Sequence, residues 1–236
     1  GEQKNGIISN VVFELLGVGR KLADDLGVPL SAVLLGKNIE SVANDLITHG
    51  ADNVYVVDNP TLKLFNDESY SDIFVQLITR YKPEIVLMGA TTYGRSLAPR
   101  VASRLNTGLT ADCTGLEIDP ERKILLQTRP AFGGNLMATI ICPNHRPQMA
   151  TVRPKVMKAL EPDTGRKGEI IKPEVKIPEN VSIKVKDVVT DICEMVNLTD
   201  ADIIVSAGRG IGDPKNLKLV EELARVLGGA VGASRA

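Results

Sequence analysis

Tryptophan is absent from these 236 residues, aromatics make up only 3%, and His occurs twice. A core without large rings is filled by Val, Ile, Leu and Ala, the composition of parallel sheets covered by helices. The three cysteines, Cys113, Cys142 and Cys193, stand far apart. They offer neither a disulfide framework nor a metal knuckle, and a reducing compartment fits best. Charge of one sign is also lacking: 28 basic residues meet 29 acidic ones, for a net charge of −1. That removes the electrostatic footprint of a nucleic-acid binder. No apolar run approaches the roughly 20 residues of a spanning helix, and no charged-then-apolar leader opens the chain, so no membrane insertion is expected.

What is present is alternation. Val11, Leu15, Val18, Leu22 and Leu26 form a helical stripe over Asn10 to Leu26, closed by Gly27. A buried strand over Leu30 to Leu35, a helix over Ser41 to His49, a strand over Val54 to Val57, a helix over Ser71 to Tyr81 and a strand over Glu84 to Met88 follow. Strands alternating with helices predict an α/β fold, a mostly parallel sheet flanked by helices. Gly1 to Gly6 reads as a polar loop with no strand before it, and the natural chain is expected to start earlier.

Gly89-Ala-Thr-Thr-Tyr-Gly-Arg-Ser then enters a helix with Leu97, Val101 and Leu105 on one face. Such a turn suits an anion at a helix start, or is a plain turn capped by Thr91 or Thr92. Arg95, Arg100 and Arg104 read as a solvated helix face. From Thr110 the pattern changes to β-formers: Thr110 to Ile118, Ile124 to Arg129 and Leu136 to Cys142 are expected as short antiparallel strands extending the sheet. Gly133 and Gly134, beside Phe132 and below Arg129, allow close approach of a flat ligand or a partner chain, or form a glycine-rich hairpin. His49 and His145 lack partners at metal or triad spacing and read as surface histidines.

Lys158 to Asn180, broken by Gly and Pro, reads as a linker or crossing segment. Val181, Ile183 and Val185 resume alternation, and a helical stretch is expected from Asp191. The domain boundary falls near 190, giving an N-terminal α/β domain over 1–189, with the linker at about 158–180, and an incomplete second domain over 190–236.

The closing stretch contains a strand (Ile203 to Val205), a loop (Ala207-Gly208-Arg209-Gly210-Ile211-Gly212) and a helix opened by Asp213 and Pro214. Leu217, Val220, Leu223, Ala224 and Leu227 form its stripe, Gly228 and Gly229 end it, and a second strand, Ala230 to Ala233, delivers Ser234 and Arg235. Arg209 and Arg235 are expected above one crevice at the carboxyl side of the sheet. The loop is not the dinucleotide fingerprint, because Asp213 stands where that motif wants Gly or Ala. No Walker loop, nucleophile elbow, carboxylate pair or triad is placed by the sequence, so binding is favoured over bond-making.

These residues bear a family likeness. Gly89-Ala-Thr-Thr-Tyr-Gly-Arg-Ser-Leu-Ala-Pro-Arg-Val-Ala, Thr107-Gly-Leu-Thr-Ala-Asp-Cys, Arg129-Pro-Ala-Phe-Gly-Gly-Asn, Gln148-Met-Ala-Thr-Val-Arg-Pro, Ser206-Ala-Gly-Arg-Gly and Val231-Gly-Ala-Ser-Arg-Ala occur in one order across the chain. Together they resemble the alpha subunit of electron transfer flavoproteins, including nitrogen-fixation-associated and electron-bifurcating members. The resemblance implies a doubly wound FAD-binding domain at the carboxyl end, with Gly208, Arg209, Gly210, Ser234 and Arg235 at the flavin. Arg235 would lie against the isoalloxazine ring, where a fixed cation stabilises negative charge.

It implies further that the Gly89–Arg95, Thr107–Asp112 and Arg129–Asn135 segments face a beta subunit. Arg129, Phe132 and Gly133 would then be near that subunit's nucleotide, AMP in simple carriers or a second FAD in bifurcating ones. The Arg129-Pro-Ala-Phe-Gly-Gly-Asn and Ala150-Thr-Val-Arg-Pro spellings look like the bifurcating group, which passes electrons from NADH to ferredoxin. Simple carriers serve acyl-CoA dehydrogenases in fatty acid β-oxidation. A cytoplasmic location in a bacterium or archaeon is expected. Members of the family continue beyond Ala236 through segments that clasp the FAD, so the second domain is expected to be truncated here, with weak or no FAD binding if the chain is trimmed. A nicotinamide-dependent α/β oxidoreductase and a nucleotide-binding structural module are the competing expectations.

Overall fold

The computed structural model describes residues 1–4, 6–178, 180–188, 198 and 201–234, with the backbone alone at Phe132. The chain divides into two compact units, Gly1–Val188 and Val189–Ala236.

The first unit opens with two short antiparallel strands, β1 (Gln3–Lys4) and β2 (Ile7–Ile8), where a loop is expected from the sequence. Helix α1 (Asn10–Leu26) keeps its expected bounds; Gly27 ends it in the left-handed region at φ 68°, donating to the Ala23 and Asp24 carbonyls. The helix buries Val11, Val12 and Leu16 in one cluster and Val18 and Leu22 in another. Strand β3 (Ser31–Gly36), helix α2 (Ala43–Thr48) and strand β4 (Asn53–Asp58) follow, with β3 and β4 parallel over six rungs. Leu34, Leu46 and Val54 are wholly buried between these elements, each contributing about 1.5–3 kcal/mol.

Helix α3 (Asp67–Tyr81) begins four residues before the expected Ser71, because the Asn66 side chain accepts from the Glu68 and Ser69 N–H groups and starts a turn the apolar pattern does not show. Strand β5 (Ile85–Gly89), helix α4 (Thr92–Arg104) and strand β6 (Leu109–Cys113) come next.

The expected strand over Thr110 to Ile118 is in fact two. Near the end of β6, Asp112 takes φ 63° at a break in the register with β10 (Gln148–Val152), and beyond that strand β7 (Gly115–Ile118) leaves the parallel sheet. It pairs with β8 (Leu125–Ala131), and β8 with β9 (Leu136–Ile140). These three strands form their own antiparallel sheet instead of extending the parallel one. What extends it is β10 (Gln148–Val152), which runs between β5 and β6, parallel to both and buried at all five residues.

The crossing segment also holds a strand, β11 (Glu169–Ile171), parallel to the edge of β4. Residues 180–188 form no regular element despite their alternation. The helix expected from Asp191 lies outside the described residues.

In the second unit β12 (Ile204–Ala207) is parallel to β13 (Ala230–Ala233), joined through helix α5 (Leu217–Leu227). Of the expected α5 stripe only Ala224 is fully covered; Leu217 and Val220 are half-buried, and Leu223 and Leu227 are exposed beside Leu219 and Val226. Among the described residues the strands packed against this helix are β12 and β13. The whole is a mixed α/β protein of parallel sheets flanked by helices with one antiparallel portion. Among the described residues no helix is long and apolar enough to cross a membrane.

Candidate functional site

In the second unit, the register of β12 and β13 sets the site. Ile204 to Ala207 pair with Ala230 to Ala233, so both strands end at the same level and release Gly208 and Ser234 side by side. The Ser234 N–H donates to the Ala207 carbonyl at 2.9 Å, and a Cβ on Gly208 would lie 3.5 Å from Ser234 Oγ. Beyond Gly208 a single tight turn, Arg209–Ile211, closes with Ile211 N–H on the Gly208 carbonyl and Gly212 N–H on the Arg209 carbonyl. The N–H groups of Gly208, Arg209 and Gly210 find no hydrogen-bond acceptor among the described residues. Arg209 is exposed there, without an ion pair among them.

The glycines of this loop serve different ends. Gly212 sits at φ 72°, and Gly228, at the far end of α5, at φ 65°, where a side chain is strained. Gly208 is extended at φ −130°, and around Gly210 a Cβ would meet nothing within 4 Å. Neither conformation nor protein packing demands glycine at 208 or 210, so the space they leave is available to a ligand. Asp213 then accepts from the Lys215 N–H at 2.9 Å and Pro214 occupies the first position of a single turn that leads into α5, as the sequence suggests. Free backbone donors, an exposed guanidinium and absent side chains are the donor set for a phosphate or an electron-rich ring edge; the residues present fit a flavin nucleotide. Arg235 lies outside the described residues.

The unit 1 candidates form a separate group. The Gly89–Ser96 turn takes its capping form: Thr91 Oγ1 accepts from the Gly94 N–H at 3.1 Å. Gly94 is required by the chain itself, since a Cβ there would lie 1.8 Å from the Gly89 carbonyl oxygen. The α4 arginines are not a merely solvated face. Arg104 pairs with Asp72, Arg100 with Asp67 at 3.4 Å, and Arg95 with Asp112 at 3.6 Å, so they tie α4 to α3 and to β6.

Asp112 is the residue whose role spacing does not suggest. Its N–H donates to Thr151 Oγ1, and Arg153 grips its carboxylate through Nε at 3.2 Å and Nη2 at 2.6 Å. The Arg153 hydrogen bonds, aided by the Arg95 and Arg129 charges and partly opposed by burial, hold the Asp112 carboxyl below its ordinary range. The two residues are 41 positions apart, so no local pattern joins this pair; the sequence signal is a polar residue near the end of the strand.

Arg129 is half-buried on β8, its Nε donating to the Pro130 carbonyl at 3.3 Å. Gly133 and Gly134 take φ 71° and 93° at the β8–β9 hairpin, which their conformation alone explains. Burial pushes the Cys113 thiol up to about 11, with Arg129 opposing, so it stays a thiol at neutral pH. His145 is exposed, but His49 is half-buried against the Phe13 ring at 4.2 Å, a packing role where a surface one is expected. Among the described residues no cluster of His, Cys, Asp or Glu could hold a metal ion.

The class defined by this architecture is a two-unit α/β protein with an anion-receptive glycine loop at the end of a parallel strand pair. Comparison with known proteins places it. The family model for the electron transfer flavoprotein domain matches residues 1–178, and that for the electron transfer flavoprotein FAD-binding domain matches residues 197–236. The chain is 57% identical over 236 residues to the electron transfer flavoprotein subunit alpha of Thermoanaerobacterium thermosaccharolyticum, covering all of this chain and 71% of that one. It is 50% identical to protein FixB of Clostridium saccharobutylicum, with 70% of that chain covered, and 42% identical over 263 residues to the acryloyl-CoA reductase electron transfer subunit beta of Anaerotignum propionicum, with 72% covered. The chain belongs to the electron transfer flavoprotein alpha-subunit family.

Proposed function

We propose that this chain is the FAD-holding electron-transfer subunit of a heterodimer with a beta-type partner. The observation that carries the reading is the loop after β12, where Gly208 and Gly210 are glycines that the fold does not itself require. The N–H groups of Gly208, Arg209 and Gly210 and the Arg209 guanidinium would hold the anionic or electron-rich part of the cofactor, with Ser234 beside them and Arg235 supplying a further cation. Bound FAD supplies the redox chemistry; the protein orients it, excludes water from it and sets its electrostatic surroundings.

Electron bifurcation from NADH to ferredoxin is the narrower reading, and service to acyl-CoA dehydrogenases in fatty acid oxidation the alternative. The Arg129-Pro-Ala-Phe-Gly-Gly-Asn spelling favours the former. On it, Arg129, Phe132 and Gly133 would stand near a second FAD in the beta subunit, and near AMP otherwise. A flavin count on the natively purified complex tests both levels. One FAD per heterodimer supports a simple carrier and two support bifurcation, whereas a complex without flavin removes the proposal.

A further inference from the structure

In the first unit a cleft of about 220 Å³ opens at the carboxyl ends of β3 and β4, lined by Gln3, Lys37, Asn38 and Lys63. The fold places each of these residues. Gln3 is pinned at both ends of its amide, Nε2 donating to the Leu35 carbonyl at 3.2 Å and Oε1 accepting from the Gly6 N–H at 2.9 Å. Lys37 follows Gly36, the last residue of β3, where a Cβ would lie 2.5 Å from Gln3 Nε2. Asn38 takes φ 56°, which asparagine tolerates better than most side chains, and its N–H is fixed on Asp58 Oδ1 at 2.8 Å. Lys63 closes the turn Pro60–Leu62 that follows β4, and the wholly buried Leu62 anchors that turn.

The lining carries positive charge and no carboxylate. Elsewhere in the unit basic side chains are matched: Arg20 by Asp24 and Asp52, Arg100 by Asp67, Lys172 by Glu40. Lys37 and Lys63 make no ion pair among the described residues, and the Asn38 side chain makes no hydrogen bond among them. Asp58, which ends β4, has both carboxylate oxygens on backbone donors, the Asn38 N–H and the Ile39 N–H at 2.7 Å. Two ammonium groups that share a cleft repel each other, and an anion between them turns that repulsion into attraction.

We propose that this cleft binds a phosphate dianion, with the Lys37 and Lys63 ammoniums as its charge partners and the Asn38 amide as a further donor. A pair of cations calls for two negative charges, which a single carboxylate lacks. Lysine meets phosphate as a compact point charge, without the forked geometry by which arginine selects carboxylates. The position also fits, since open α/β sheets bind ligands outside the carboxyl ends of their strands. The cleft is smaller than the roughly 300 Å³ at which pockets for whole small molecules begin. It therefore encloses the phosphate group itself, whether free or at the end of an ester. No residue of the flavin reading takes part, and the test needs no flavin signal.

Lysine acylation of the natively purified complex, dialysed free of phosphate and read by peptide mass spectrometry, tests the site locally. Inorganic phosphate at ten times its Kd slows modification of Lys37 and Lys63 about tenfold. It leaves Lys21 and Lys82, exposed on other faces of the unit, unchanged, and chloride at equal ionic strength protects none of the four. Ribose 5-phosphate in a parallel titration separates the sources: tighter protection by the ester assigns the cleft to an ester's phosphate, and tighter protection by inorganic phosphate assigns it to the free ion. Lys37→Gln weakens the phosphate protection of Lys63 by about tenfold, and Lys63→Gln that of Lys37, as expected for loss of a hydrogen bond to a charged group. Both side chains are exposed, so each variant melts as the wild type does. Protection shared by Lys21 and Lys82, protection matched by chloride, or Lys63 protection that survives Lys37→Gln unchanged overturns the proposal.

Discussion

Ser234 and Ala207 are joined by a 2.9 Å backbone hydrogen bond one residue past the last rung of the β12–β13 pair. That bond holds the two loop mouths together, and it lets the role of Gly208 be separated from its geometry. Gly208→Val is accommodated by an extended backbone, so the change in stability stays within about 1 kcal/mol. The added methyls nevertheless fill the space beside Ser234, and FAD affinity of the native complex falls more than tenfold in a fluorescence titration, about 1.4 kcal/mol or more.

Gly94 behaves in the opposite way. With a Cβ 1.8 Å from the Gly89 oxygen, Gly94→Ala forces α4 off the end of β5 and costs about 3 kcal/mol, at the upper end of overpacking penalties. Gly108→Ala, whose Cβ would lie 3.4 Å from Cys142 Sγ, costs under about 1 kcal/mol. Urea unfolding of both variants checks the contrast, and equal effects would refute it.

Asp52 is the polar tie of the first unit. Its carboxylate accepts from the Leu30 N–H at 2.8 Å and from Arg20 and Arg166 at 2.7 Å each. Burial opposes its charge, but the Leu30 N–H and the two guanidiniums outweigh that and keep the carboxyl below its ordinary value. A carboxyl depressed on folding adds stability above its unfolded pKa, near 4, and loses that stability as pH falls through the lower folded value. Asp112 has the same sign. Thermal stability of the wild type therefore drops below about pH 4, and Asp52→Asn, destabilised by about 1–3 kcal/mol at pH 7, shows a shallower acid limb. Identical acid limbs for the two proteins would contradict this assignment.

The α3–α4 ion pairs are weaker. Arg100 and Asp67 meet at 3.4 Å with side chains 44% and 32% exposed, so Arg100→Ala changes stability by no more than about 0.5–1 kcal/mol. A larger loss by chemical unfolding would show that α4 depends on its charged face.

Much of the fold is legible from the residues because it is local. The α1 stripe and Gly27 fix that helix at both ends, and Asp213, Pro214 and Gly228 frame α5 in the same way. Strand β10 is not legible because Gln148 and Thr151 break its apolar run, and only the fold supplies their partners: the Gln148 side chain accepts from the Leu125 N–H at 2.9 Å and the Thr151 hydroxyl from the Asp112 N–H. Strand β11 is hidden in a Gly- and Pro-rich stretch because its pairing comes from the β4 edge, more than a hundred residues earlier. At the candidate site the glycines and Arg209 stand out as residue types. Which glycines answer to the backbone and which leave room for a ligand is a matter of φ and of neighbours, and one-dimensional spacing carries neither.

The most direct measurement of the central claim is the FAD retained per alpha chain by the natively purified complex, for the wild type and for Arg209→Gln. FAD bound stoichiometrically to the wild type and at least about tenfold more weakly to the variant, as expected for loss of a charge-assisted contact, is the predicted result. A wild-type complex that carries no flavin, or an Arg209→Gln complex that holds FAD as tightly as the wild type, would contradict it.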